Sequence, residues 1–221
     1  FAVRLGVQSV APGDRVAIML EPSLPFYAAL FGAMKAGAVA VPLFTLFGPD
    51  GVRLRVDDCA PKLLLTNAEK AATTGALPAT ETIVADDAFL ASLASFPTDH
   101  AANTKADDMA MFQYTSGTTR EVPEAIKHTH RSVVTVANAA LYGTGVRPGD
   151  RFFCPSSPAW GHGLWHGTLA PLGLGVATGT FSGRFDAERL LKALDRFRIT
   201  NLSAAATTPE IIAHSTQTLA R

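Results

Sequence analysis

Short apolar runs alternate along the chain with stretches of helical periodicity. Residues 15–20 (RVAIML) are an apolar run bounded by Pro12-Gly13-Asp14 and by Pro22, which predicts a buried strand. Ser23 is a candidate N-cap with Pro25 in the first turn, and Phe26, Leu30 and Met34 then recur at helical spacing until Gly37 ends the pattern. A strand at 38–42 (AVAVP), a helix at 50–59, a strand at 62–66 and a short strand at 82–85 follow. Residues 91–108 (ASLASFPTDHAANTKADD) are small, polar and poor in large apolar groups, the composition of a surface connection, so a boundary between subdomains 1–100 and 101–221 is placed there. Beyond it the pattern predicts a strand at 109–114, a loop, and a helix from about 129 to 142 ended by Gly143. A strand at 151–154, a Gly-rich segment, a strand at 176–181, a helix at 186–197 and a strand at 200–205 complete the series.

Strands alternating with helices over short connections favour a mostly parallel sheet, because parallel strands need crossover helices to return the chain. The expected fold is therefore α/β, with layered, mostly parallel sheets and helices on both faces. A length of 221 residues allows about one and a half typical domains. With 48% hydrophobic and 17% charged residues the chain has ample material for a core, which excludes a disordered chain and a coiled-coil rod. The 19 basic side chains balance 19 acidic ones, and no clustered basic surface appears, so duplex nucleic acid and an anionic membrane are excluded as bulk partners. No apolar run reaches the roughly 18 to 20 residues of a membrane span. Cys59 and Cys154 match no zinc-ligand spacing and leave room for at most one incidental disulfide, so a reducing, cytoplasmic setting is expected. The chain opens at Phe1, without the features of a secretory signal, which suggests a piece of something longer.

The chemistry concentrates in one loop. Thr115, Ser116, Gly117, Thr118 and Thr119 follow an apolar strand and place four hydroxyls around one glycine. Hydroxyls and exposed backbone N–H groups suit phosphate oxygens, Gly117 permits close backbone approach, and a Ser or Thr hydroxyl can reach a phosphate-bound Mg²⁺. Arg120, Lys127, His128 and His130 lie close behind and could balance phosphate charge. An ordinary Thr/Ser-rich turn has the same composition, so the cluster alone leaves both readings open. The G-x-x-x-x-G-K-[ST] loop of NTPases and the G-x-G-x-x-G of dinucleotide folds are both absent. Ser116 is not in a nucleophile elbow either, since Tyr114 and Thr118 occupy the positions where glycines are required.

Tyr114-Thr115-Ser116-Gly117-Thr118-Thr119, followed by Pro123 and then Thr129-His130, resembles the signature loop of the adenylate-forming superfamily, which includes the acyl-CoA synthetases. The usual string is T-S-G-T-T-G-x-P-K-G, with T-H opening a later helix. Here Arg120 replaces the second glycine, one extra residue precedes Pro123, Glu124 stands at the lysine and Ala125 at the third glycine. Lys127 or Arg120 is then the candidate to replace the loop lysine. The segment 10–17 (VAPGDRVA) and the later KAGAVAVPL of 35–43 are similar to the amino-terminal part of the same family. Downstream, Trp160-x-x-Gly163, Pro171-Leu172 and Gly175 resemble the acetate and medium-chain acyl-CoA synthetases, and 185–202 (FDAERLLKALDRFRITNL) resembles the helix and strand that follow there.

The resemblance implies an incomplete portion of the large amino-terminal domain of an acyl-CoA synthetase-like fold. It also implies a reaction: carboxylate and ATP give acyl-adenylate and pyrophosphate, and coenzyme A then takes the acyl group. ATP, Mg²⁺ and CoA as co-substrate are the implied small molecules, with a carboxylate and a nucleotide as partners. Residues 115–119 and Lys127 would bind nucleotide, while Trp160, Gly161 and His162 would line the acyl pocket, with Gly163 where backbone passes close to substrate. Trp160 suggests a short acyl group. Without the resemblance, Trp160 and Trp165 read as core aromatics. His162 and His166 are spaced i, i+4, but no H-E-x-x-H is present and the flanking glycines disfavour a continuous helix, so a pocket-lining or satisfied pair is preferred to a metal site. The Y-G-x-T-E motif of the adenine side, the ribose-binding aspartate and the carboxy-terminal catalytic lysine are not found before Arg221, and no catalytic residue is assigned. Two readings result: a portion of an acyl-CoA synthetase that is inactive in isolation, or a non-catalytic binding or dimerisation module. Self-association through an exposed sheet edge is expected of an incomplete α/β sheet.

Overall fold

The structure is a computed structural model and describes residues 1–114 and 124–205. The chain forms two compact units, Phe1–Ser132 and Val133 onward. In the first, α1 (Ala2–Val7) is followed by β1 (Arg15–Met19), α2 (Leu24–Lys35), β2 (Val39–Pro42), α3 (Pro49–Cys59), β3 (Leu63–Thr66), α4 (Ala68–Thr74), β4 (Glu81–Val84), α5 (Asp87–Leu93), β5 (Met109–Gln113) and β6 (Ile126–Thr129). The strands lie in the order β4-β3-β1-β2-β5-β6. All neighbours are parallel except β5 and β6, which run antiparallel.

That order places β1 between its two sequence successors. The β1-α2-β2 crossover steps to one side and β2-α3-β3 steps back past β1, so right-handed connections put α2 and α3 on opposite faces of the sheet. Side-chain alternation agrees. Ala17, Met19, Val41 and Leu64 pack with Val52, Val56 and Cys59 of α3, while Val16 and Ile18, pointing the other way, are equally buried and α2 packs on β1 and β2. Burial on both faces explains why the strands read as continuous apolar runs. Each fully buried Leu or Ile contributes about 1.5–3 kcal/mol by removal from water.

β6 leads into α6 (His130–Ala139), which continues as a π-helical segment, Ala140–Thr144. The second unit then holds β7 (Arg151–Phe153), a longer π-helical segment at His162–Leu169, α7 (Ala170–Gly173), β8 (Ala177–Gly179), α8 (Ala187–Arg196) and β9 (Asn201–Leu202). Its sheet is parallel, in the order β8-β7-β9. Successive residues of β7 face opposite ways: Phe152 packs with Ala140, Val146 and Ala170, and Phe153 with Phe181 and Leu190 of α8. Asp186 caps α8, accepting from the Arg189 backbone N–H at 2.7 Å.

The α/β class and the mostly parallel sheet agree with the sequence pattern. Four helices and one strand among the described residues were not predicted by it: α1, α4, α5, α7 and β6. The connection expected at 91–108 lies inside the first unit, because β5 beyond it pairs with β2. The largest departure is at 162–169, where glycines disfavour a helix yet one forms. Gly163 and Gly167 are both buried there. A Cβ on Gly163 would meet the carbonyl oxygens of Ser156 and Ser157, and one on Gly167 would lie 2.7 Å from Cys154 Sγ. Close packing thus selects the glycines, and tertiary contact overrides their helix propensity. Cys59 and Cys154 are free and buried. Among the described residues no helix is long and apolar enough to cross a membrane.

Candidate functional site

Residues 115–120, which hold the whole hydroxyl cluster and Arg120, lie outside the described residues, as do 121–123. Their two shoulders are described. β5 and β6 return antiparallel with Phe112 opposite Lys127 and Gln113 opposite Ile126, so the chain leaves β5 and re-enters β6 side by side. Tyr114, at the exit, is buried. Its hydroxyl donates to Asp58 Oδ2 at 2.6 Å and also reaches the Arg55 carbonyl at 3.0 Å. The Ala125 N–H, at the re-entry, donates to the same Asp58 Oδ2 at 3.1 Å.

Burial, and after it the Asp58 hydrogen bond, pushes the Tyr114 pKa well above its ordinary value, so the phenol remains a donor. The Arg55 guanidinium lies 3.7 Å from the centre of the Phe47 ring and 5.4 Å from that of Tyr114, and donates to the Gly51 carbonyl at 2.7 Å. Burial lowers its pKa from the usual value. Arg15 closes the end of α3, donating to the carbonyls of Cys59 at 2.7 Å and Ala60 at 2.8 Å. Lys127 projects from β6 with its ammonium 5.4 Å from the Phe112 ring centre, and shares with Arg15, Asp58, Phe112 and Glu124 an open groove of about 390 Å³. Burial lowers the pKa of His128 and of His130, against a smaller opposing effect of Asp108 on the latter, and this favours neutral imidazoles. Of the two cations that the sequence nominates, Lys127 and Arg120, Lys127 is among the described residues and lies on β6.

In the second unit, Trp160, Gly161, His162 and Gly163 fall within one turn entering the π-helical segment. The Trp160 N–H donates to the Ser157 carbonyl at 3.0 Å, and the Trp160 carbonyl accepts from the Leu164 N–H at 2.8 Å. Trp160, Gly161 and His162 are half-buried and Gly163 is buried. His162 Nε2 lies 3.2 Å from Ser203 Oγ, and the His162 and His166 rings are 5.8 Å apart. Burial, then the neighbouring His162, lowers the His166 pKa, and its Nδ1 is buried with no hydrogen-bond partner among the described residues. No group of three or more His, Cys, Asp or Glu converges among the described residues, so no Mg²⁺ ligand is assigned to them. Lys127 belongs to the first unit and Trp160–Gly163 to the second.

Asp58 and Ser203 were not singled out by the sequence. Ser203 carries no signal. Asp58 does, because Asp57-Asp58 puts two acids in the last turn of α3, where the helix dipole disfavours negative charge and a specific partner is called for.

Comparison with known proteins identifies the family. The family model described as AMP-binding enzyme matches residues 1–220. The 3-hydroxybenzoate–CoA/4-hydroxybenzoate–CoA ligase of Thauera aromatica is 31% identical over 212 residues, covering 90% of this chain and 40% of the relative. The crystal structure of a Brucella canis acyl-CoA synthetase superimposes with a TM-score of 0.88 at 26% identity, over 97% of this chain and 41% of that one. The inhibitor-bound amino-terminal domain of FACL13 from Mycobacterium tuberculosis does so with a TM-score of 0.86 at 27% identity, over 96% and 54% respectively. The chain spans about 40% of the length of the curated relatives it matches. With a match that runs from the first strand through the hydroxyl-rich loop to the second sheet, the chain belongs to the AMP-binding enzyme family of adenylate-forming ligases.

Proposed function

We propose that this chain is part of an ATP-dependent acyl-CoA synthetase. A carboxylate would attack the α-phosphorus of ATP, forming acyl-adenylate and releasing pyrophosphate. The thiol of coenzyme A would then displace AMP to give the thioester. The observation that carries this reading is the family match along residues 1–220 together with the hydroxyl-rich sequence between β5 and β6. Three phosphates and a carboxylate bring strong negative charge together, and donors fixed in advance are what offset it. Thr115, Ser116, Gly117, Thr118 and Thr119 are assigned to the phosphates, and Lys127 or Arg120 to the role of the loop lysine that Glu124 replaces. Mg²⁺, when bound with the nucleotide, neutralises phosphate charge. Trp160, Gly161 and His162 are assigned to a pocket for the acyl group. For Gly163 the carbonyls of Ser156 and Ser157, which fill its side-chain space, support a packing role at least as directly as closeness to substrate.

Isothermal titration of the 221-residue chain with Mg-ATP and candidate carboxylates tests the reading. Millimolar or tighter nucleotide binding is expected, and its absence would favour the second reading, a non-catalytic module, for which Glu124 at the lysine position speaks. Pyrophosphate release by this chain alone is not expected, since the sequence lacks Y-G-x-T-E. If Ala at both Lys127 and Arg120 leaves the affinity unchanged in a complete enzyme, neither replaces the loop lysine. Self-association is proposed to use the outer strands β4 of the first sheet or β8 and β9 of the second. Light scattering that shows a monodisperse monomer at high concentration would refute it.

A further inference from the structure

The winding of His162–Leu169 as a π-helix, which is rare, is explained by residues beyond the Trp160–Gly163 turn. Pro171 stands where α-winding would need a backbone N–H for the Gly167 carbonyl. Proline has none, and its ring collides with that carbonyl in a continuous α-helix. A wider turn relieves the conflict: the Ala170 N–H donates to the Trp165 carbonyl, five residues back. The Gly167 carbonyl accepts from the Thr178 hydroxyl of β8 at 3.1 Å. Thr168 Oγ1 donates to the Gly163 carbonyl at 2.9 Å, again five residues back, whereas a threonine in an α-helix bonds three or four back. Thr168 is buried, and a valine would fill the same space with no polar atom to satisfy. Packing alone therefore does not account for the hydroxyl.

Changing from π- to α-winding turns the first residue of a segment about its axis relative to the last. The far end is tied to β8 through Gly167 and Thr178, so the change would appear at His162. Its Nε2 lies 3.2 Å from Ser203 Oγ, just beyond β9, and the Ser203 N–H continues the sheet by donating to the Phe153 carbonyl at 3.0 Å. We propose that Thr168 is a positioning residue: its hydroxyl, with that of Thr178, holds 162–169 in the π register, which keeps His162 on Ser203 and so sets the affinity of the turn 160–163 for a carboxylate. The affinity clause rests on the function proposed above; the register clause does not. The observed hydrogen bond of Thr168 goes to the Gly163 backbone, so its effect on the imidazole passes through the winding of the chain.

The test reads the imidazole nitrogens of His162 by NMR in the 221-residue chain, assigned with His162→Gln, and titrates the chain with butyrate and with benzoate. Ser203→Ala takes the hydroxyl from His162 and supplies the reference shift of its Nε2 signal. Thr168→Val is expected to move that signal toward the Ser203→Ala position and to weaken the tighter of the two carboxylates about ten-fold, as the loss of a buried hydrogen bond implies. Thr168→Ser keeps the hydroxyl and should return the signal, with affinity within about three-fold of the parent. A His162 signal unmoved in Thr168→Val overturns the register clause. A moved signal with unchanged affinity overturns the affinity clause alone. Should Thr168→Val fail to fold, Thr178→Val removes the donor to Gly167 and is expected to shift both readouts in the same direction by a smaller factor; no shift in either overturns the proposal. A parent chain that binds neither carboxylate overturns the acyl-pocket assignment and the affinity clause with it, while the His162 signal still decides the register.

Discussion

Replacing Gly163 by alanine would put a methyl group where the chain already holds two carbonyl oxygens. The added Cβ would meet Ser156 O and Ser157 O and lie 2.5 Å from the Ser157 carbonyl carbon. These are backbone atoms, so relief requires a shift of the 156–157 turn rather than a side-chain rotation. Overpacking of this kind costs about 1–3 kcal/mol, and the upper part of the range applies where backbone must move. Alanine's better helix propensity returns about 0.5–1 kcal/mol. The net expectation is a loss of about 2 kcal/mol, or about 30-fold in the folding equilibrium of the second unit. Gly143→Ala is the matched control: nothing lies within 4 Å of its Cβ position, so it should be neutral or stabilising by up to about 1 kcal/mol. Both tryptophans, Trp160 and Trp165, belong to the second unit, so tryptophan fluorescence in urea follows that unit. With a slope of about 1 kcal/mol/M the Gly163→Ala midpoint should fall by about 2 M. Equal midpoints for the two variants would refute the packing argument.

Two further outcomes can be read on the same chain. Because burial lowers the His166 pKa in the folded state, the unfolded chain takes up the proton first as pH falls below about 6.5. The second unit should lose stability through that window and level off below the folded-state pKa. His166→Gln should flatten this part of the dependence, and a parent slope equal to the variant's would count against it. Cys59 and Cys154 are buried free thiols whose pKa values burial raises, so a thiol reagent at mildly alkaline pH should label neither until urea is added. Rapid native labelling of either would contradict their placement.

Much of the fold is legible in the chain. RVAIML, AVAVP and the apolar run at 63–66 read as buried strands because their residues face covered surfaces on both sides of a sheet. The helices α2, α3 and α8 are visible for local reasons: Ser23 and Asp186 start two of them, and Pro sits in the first turn of α2 and α3. The short helices α4 and α5 escaped notice although Asn67 and Asp86 cap them, since seven residues are too few to display a period. β6 was hidden because IKHT has no apolar alternation, and only pairing with β5 makes it a strand. The site divides in the same way. The hydroxyl-rich sequence and the Trp160 turn, the two candidate stretches, are runs of neighbouring residues, the first nominated by its composition and the second by its resemblance to a family motif.

By itself the sequence determined the α/β class, the order of most elements and the family, since each depends on residues close together in the chain or on motifs kept in order. Tertiary structure decided what depends on distant residues meeting. It seated Gly163 and Gly167 against Ser156, Ser157 and Cys154, so that a glycine-containing stretch became helical. It also brought Asp58 to Tyr114 and Ala125, 56 and 67 residues away, because parallel pairing and right-handed crossovers carry the end of α3 back beside β5 and β6. No local pattern encodes such a meeting, for its stability comes from buried contacts that exist only once the sheet has formed.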